Sequence, residues 1–161
     1  MPELPDVEEA RRRAERALRG RRIRDVATRP DPIVYEGVSP RRFARALARR
    51  RAPIKSVLLD QGLFAGVGNW IADEVLYQAA LRPQRLASDL ELAEVRRLRA
   101  RLLAIVTRAV AVDADSERFP HTWLFHRRWG KDARARTARG ERIVHETIGG
   151  RTAAWVPARQ R

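Results

Sequence analysis

Residues 54–79 read IKSVLLDQGLFAGVGNWIADEVLYQA, and their punctuation decides the fold. Pro53 opens a helical pattern, IKSVLLDQ, and Gly62 breaks it. LFAGVGN is a glycine turn; WIADEVLYQAAL is a second helical pattern, stopped by Pro83. Gly66 and Gly68 let the backbone approach a ligand closely. The next helix starts at Asn69 with its amides and dipole pointing outward, which makes a phosphate site, and the Asn69 amide adds a donor. The same glycines serve a plain helix–helix turn equally well, so this element alone leaves both readings open.

Toward the C-terminus, residues 90–112 form the longest helical pattern. Leu92, Val95, Leu98, Leu102, Ile105, Val106 and Ala109 mark its buried stripe. Residues 113–140 are polar, with Trp123, Leu124, Phe125 and Trp129 as an aromatic knot. ERIVHETI and RTAAWVP then form two short strands around Gly149-Gly150, a hairpin pattern. Its tip carries Arg151 and Thr152. Arg151 can clamp a phosphate through two parallel N–H bonds, or stand solvated as an ordinary turn arginine. Trp155 and Val156 are expected to pack the hairpin on the knot.

Toward the N-terminus, Ser39-Pro40 is a helix start, a hydroxyl cap followed by proline at the first position. RRFARALARRR follows, with Phe43, Ala46 and Leu47 on one face. RIRDVAT has the alternation of a short strand, and RPDPIVYEGV reads as an irregular connection. Residues 5–19 read as a helix with Val7, Ala10, Ala14, Ala17 and Leu18 as its apolar stripe and Gly20 as its terminator. The chain opens Met1-Pro2-Glu3. With Met1 removed, Pro2 is a terminal secondary amine. An α-amino group titrates near pH 8, so a useful fraction is an unprotonated nucleophile at neutral pH. Such an amine attacks a sugar C1′ and forms an iminium, and Glu3 beside it can move the protons. An unremarkable chain start is the other reading of these residues.

Composition narrows the partners. The 161 residues carry 34 Lys+Arg against 20 Asp+Glu, a formal net charge of +14. Lys55 and Lys131 are the only lysines, so nearly all the cations are arginines. This excess suits a polyanion, nucleic acid first. With no cysteine, disulfides, a thiol nucleophile and thiolate zinc sites are excluded. No apolar run approaches the roughly 20 residues of a membrane span, and MPELPDVEEA lacks the order of a signal peptide. A cytoplasmic protein with no membrane partner is expected.

PELPDVE at the start, IKSVLLDQGLFAGVGNWIADEVLYQA in the middle and IGGRTAAWVP at the end occur in that order. Together they resemble the formamidopyrimidine-DNA glycosylase / endonuclease VIII family. The resemblance implies an α+β, mostly helical fold: a helix–two-turns–helix core, a C-terminal β-hairpin finger and a truncated remnant of the N-terminal catalytic domain. It divides the chain into that remnant (1–52), the DNA-binding core (53–112), and a linker with the finger (113–161). It implies a base-excision-repair glycosylase and abasic-site lyase acting on damaged double-stranded DNA, on oxidised bases and abasic sites. Pro2 would be the Schiff-base nucleophile. Glu3 would be the acid that opens the deoxyribose for β,δ-elimination. Lys55, Gly68, Asn69 and Arg151 would contact DNA, with Asn69 and Arg151 gripping the phosphate from two sides. Nucleotide flipping is required because the sugar carbon is inaccessible inside the stack.

Two departures stand out. The usual finger carries four zinc cysteines; this one resembles the zincless branch, whose hairpin is held by packing alone, so no metal and no cofactor are expected. His121, His126 and His145 do not replace the ligands. The helix after Ser39, which resembles the first helix of the N-terminal catalytic domain, runs directly into Ala52-Pro53-Ile54-Lys55, so most of that domain's β-sandwich is missing. Weak abasic-site cleavage and poor base excision are the expectation. A catalytically inactive DNA-binding module of the same family and an RNA-associated basic protein are the alternatives.

Overall fold

The computed structural model describes residues 4–20 and 39–161. Pro2, Glu3 and the expected strand RIRDVAT lie outside the described residues. Five α-helices precede one β-hairpin: α1 (Leu4–Leu18), α2 (Pro40–Ala48), α3 (Ile54–Leu58), α4 (Asn69–Gln78), α5 (Leu92–Ala111), then β1 (Val144–Ile148) and β2 (Arg151–Trp155). Short 3-10 turns at Ala87–Asp89, Ser116–Arg118 and Leu124–Arg127 connect them. No helix among the described residues is long and apolar enough to cross a membrane.

Local chemistry sets most of these boundaries. The Ser39 hydroxyl accepts from the Arg42 amide at 3.3 Å, and Pro40 occupies the first position of α2. The α5 start is a capping box: the Glu94 carboxylate accepts from the Glu91 amide at 2.9 Å, and the Glu91 side chain answers. The α3 helix has no side-chain cap. Residues 83–87 cross its start instead, taking the Ile54 amide on the Arg85 carbonyl at 2.7 Å and giving the Ala87 amide to Ala52 at 2.9 Å.

The α5 helix packs on α4 and α2 and supplies much of the core. Val95, Leu98, Leu102, Ile105, Val106 and Ala109 are buried, joined by Leu58, Phe64, Ile71, Val75 and Leu76. Leu92 departs from the expected stripe: at 57% exposure it stands in the first turn, ahead of the packed face. Phe43 and Leu47 of α2 lie in this same core, so the expected boundary at residue 53 falls inside a continuous apolar cluster. Of the expected α1 stripe, Ala10 and Ala14 are exposed. Arg11 bridges Glu8 and Glu15, and Arg12 reaches Asp113 beyond α5 at 2.6 Å.

The aromatic knot forms with a different membership. Trp70 and Phe119, absent from the sequence reading, sit at its centre, 5.4 Å apart, with Trp123 and Phe125 around them. Trp129 touches only its edge and remains 54% exposed.

Leu102→Ala removes a buried side chain from the longest stripe. Destabilisation of about 2–5 kcal/mol is expected in urea-unfolding experiments, which in a chain of this size lowers Tm by roughly 2–4 °C per kcal/mol.

Candidate nucleic-acid interface

The loop between α3 and α4 is built around one amide side chain. Gln61 Oε1 accepts from the Gly66 amide at 2.9 Å, and its Nε2 donates to the carbonyls of Leu59 and Val67 at 3.1 and 3.0 Å. Gly66 takes a φ of 76°, open to glycine at little cost. Gly68 then caps α4, and Asn69 is its first residue.

The hairpin comes to this helix start. Gly149 and Gly150 both have positive φ, 57° and 74°, as a tight two-residue turn requires. Gly149 has a second reason to lack a side chain, since a Cβ there would collide with Ser56 of α3. The register pairs Ile148 with Arg151 and Thr147 with Thr152. The Thr152 carbonyl accepts from Lys55 Nζ at 2.9 Å and from Asn69 Nδ2 at 3.0 Å. Asn69 and the residue next to Arg151 are thus tied directly. The Arg151 side chain is exposed and has no carboxylate partner among the described residues. Asn69 Oδ1 is buried and is the side-chain acceptor left without a partner among them.

Beneath this junction lies a buried ionic cluster that sequence reasoning missed. The Asp73 carboxylate, 1% exposed, accepts from Lys55 Nζ at 2.5 Å on one oxygen. Its other oxygen accepts from Arg128 Nη2 at 2.7 Å, Arg128 Nε at 3.1 Å and the Ala154 amide of β2 at 3.0 Å. His145 of β1 bonds the Arg128 carbonyl at 3.0 Å. One carboxylate therefore joins α3, α4, the segment after the aromatic knot, and the hairpin. The hairpin is not held by packing alone, as the sequence suggested; fixed charges and hydrogen bonds tether its second strand.

The structure places Lys55 beneath this junction: its side chain is 0% exposed and its ammonium lies between Asp73 and the Thr152 carbonyl. Gly68, Asn69 and Arg151 are brought together at the surface junction. The one clue to Asp73 in the sequence was the company it keeps: Trp70, Ile71, Ala72, Val75, Leu76 and Tyr77 make α4 apolar on nearly every side, so its two acids are necessarily buried.

The second acid, Glu74, has no ion-pair partner among the described residues. Burial pushes its carboxyl up to about 7, although the Gln78 amide, at 2.8 Å, and the Phe125 and Leu124 backbone amides favour the charged form. It pins the Leu124–Arg127 turn to α4.

The α3–turn–α4 packing with a hairpin closing on the helix start makes a two-sided junction. Comparison with known proteins places it further. Residues 29–121 match the Formamidopyrimidine-DNA glycosylase H2TH domain, and residues 1–56 match the Formamidopyrimidine-DNA glycosylase N-terminal domain. The chain belongs to the formamidopyrimidine-DNA glycosylase family. The two matched ranges overlap across α2, whose side chains pack with the helical core. A Formamidopyrimidine-DNA glycosylase of Arabidopsis thaliana is 44% identical over 132 residues, 82% of this chain and 33% of that protein. One from Thermomicrobium roseum is 45% identical over 81 residues, 50% of this chain and 28% of that protein. Among solved structures, the MutM (Fpg) protein of Thermus thermophilus superposes with a TM-score of 0.67 at 31% identity, covering 81% of this chain and 53% of that one. Lactococcus lactis formamidopyrimidine-DNA glycosylase, non-covalently bound to DNA containing an abasic site, gives 0.68 at 26%, covering 82% and 49%. The chain thus spans about a third of the curated relatives and about half of the solved ones.

Two predictions follow from the buried acids. Asp73→Asn leaves Arg128 as a buried cation without its carboxylate and is expected to cost about 3–5 kcal/mol in urea unfolding, with faster amide exchange at Ala154. Glu74 binds its proton more tightly folded than unfolded, so its contribution to stability falls as pH rises from about 4.5 to about 7. Glu74→Gln is expected to flatten that part of the Tm-against-pH curve.

Proposed function

We propose that this chain binds damaged double-stranded DNA and acts at abasic sites as a base-excision-repair glycosylase/lyase. The observation that carries the reading is the Thr152 carbonyl, shared by Lys55 and Asn69, which seats the Arg151 hairpin against the glycine-framed start of α4. In this reading Gly68 and Asn69 hold a backbone phosphate from the helix side, and Arg151 holds it from the hairpin side. Lys55 acts as the buried support of both. No metal or small-molecule cofactor takes part. The family names of the relatives and the abasic-site DNA in the Lactococcus structures support the same partner.

Catalysis is assigned to Pro2 and Glu3. The Pro2 nitrogen forms a bond to C1′ of the abasic sugar, Glu3 protonates the ring oxygen as the ring opens, and water leaves as the iminium forms. The iminium then accepts the electron pair released when C2′ loses a proton, and the 3′ phosphate departs. This chemistry draws little on base recognition, so abasic-site cleavage outlasts excision of oxidised bases in a chain that lacks most of the β-sandwich. A binding module without catalysis is the second reading, favoured by the match of residues 29–121 to the H2TH domain and the formal net charge of +14.

Mixing the protein with an abasic-site duplex and borohydride separates the two. A covalent protein–DNA band on a denaturing gel, lost in Pro2→Gly, is the expected result. Tight, salt-sensitive binding with no band would assign the chain to the binding module. Arg151→Ala is expected to weaken binding and to lower the slope of log K against log[salt] by about 0.9, the share of one phosphate.

A further inference from the structure

The arginines of this protein are not equally committed. In α1 four acids interleave four arginines; Arg11, Arg12 and Arg13 all pair with Glu8, Glu9, Glu15 or Asp113. Across α2 and its flanks, the sequence from Ser39 to Arg51 contains six arginines and no acid. Arg41, Arg42, Arg45 and Arg49 are exposed and have no carboxylate partner among the described residues; Arg50 alone pairs, with Asp60 at 3.5 Å. Arg41 and Arg42 stand in the first turn, the positive end of the helix dipole, where cations are disfavoured. Like charges at Arg41, Arg45 and Arg49, four residues apart, also repel one another.

These side chains line a groove of about 570 Å³ together with Ser39, Ala46 and Leu63. Leu63 belongs to the same short loop that ends at Gly68, so the groove opens onto the loop carrying the phosphate-facing start of α4. Arg41 to Arg49 covers about 12 Å along the helix, the axial rise of roughly three to four base pairs.

We infer that the α2 groove is a second phosphate-binding surface that takes the nucleic-acid backbone where it leaves the Asn69–Arg151 clamp. The inference rests on the reading of that clamp as a DNA grip. An anionic strand removes the repulsion within α2 and answers the dipole at its start. The groove reads no sequence, because it presents only guanidinium groups to phosphates.

Two duplexes with a central tetrahydrofuran abasic analogue test this: a short one confined to the clamp, and one longer by about four base pairs on either side, the span of α2's arginines. The triple variant Arg41→Gln/Arg45→Gln/Arg49→Gln is expected to bind the short duplex as the unmodified protein does. It should bind the long duplex about tenfold or more weakly, with a salt slope lower by about 2.7, three phosphates at about 0.9 each. All three side chains are exposed, so Tm should stay unchanged; if it falls, Arg45→Gln alone replaces the triple variant, with a slope lower by about one.

Unchanged affinity and slope on the long duplex overturn the inference. Arg151→Ala on the same duplexes separates the failures: if it weakens both and the triple variant weakens neither, the clamp stands and the groove falls. If neither variant weakens either duplex, the clamp reading fails first. Titration with inorganic tripolyphosphate is the last arm. Tight binding that displaces the long duplex and is lost in the triple variant assigns the groove to a free polyphosphate and overturns the inference. Weak binding that leaves the long duplex in place supports it.

Discussion

The structure depends on a single buried carboxylate. Asp73 lies on α4 under the site and accepts donors from three other parts of the chain: the Lys55 ammonium of α3, the Arg128 guanidinium, and the Ala154 amide of β2. A buried charge is costly unless it is paired and its lone pairs are filled. Here each carboxylate oxygen is filled, so the cost is met only while all four segments stay in place. An apolar core tolerates sliding; this arrangement does not, because any displacement strips donors from a desolvated charge. The carboxylate therefore fixes where the hairpin sits relative to the helix start.

That fixity is what a phosphate grip needs. A two-stranded hairpin alone is marginal in water; this one has no cysteines and, among the described residues, no third strand. Its inner face packs Ala154 against Tyr77, Leu124, Ile143 and Val156, and its tip rests so closely on Ser56 that only glycine fits at position 149. Thr152 contributes its carbonyl to Lys55 and Asn69, which leaves the neighbouring Arg151 side chain outside and unpaired among the described residues. The arginine side chain is exposed on a strand tethered through Thr152 and Ala154.

Charge in this protein is sorted by element. In α1, Arg11, Arg12 and Arg13 pair with acids of the same helix, and Arg12 also reaches Asp113. The buried cluster uses Lys55 and Arg128 as structure. The exposed arginines of α2 and the hairpin tip have no carboxylate partner among the described residues. A net charge of +14 alone does not distinguish these uses; the position of the nearest carboxylate does.

Much of this was legible in the sequence, where the signal was local. Gly62, Pro83, Ser39-Pro40 and Gly149-Gly150 punctuate the chain by backbone sterics and capping, so helices and hairpin fell near their expected places. The glycines around Val67 and the arginine after the hairpin turn were legible as turn signals, because turn chemistry acts over a few residues. Long-range partners were not legible. Lys55 reads as an exposed basic residue until Asp73, eighteen positions later, and Thr152, ninety-seven positions later, close over it. Leu92 and Trp129 fit their apolar patterns, yet stand at edges that the core does not reach. Periodicity determines which side of an element is apolar. Only tertiary packing decides how far along that element the core extends, and which charges it encloses, because desolvation depends on neighbours that are distant in the chain.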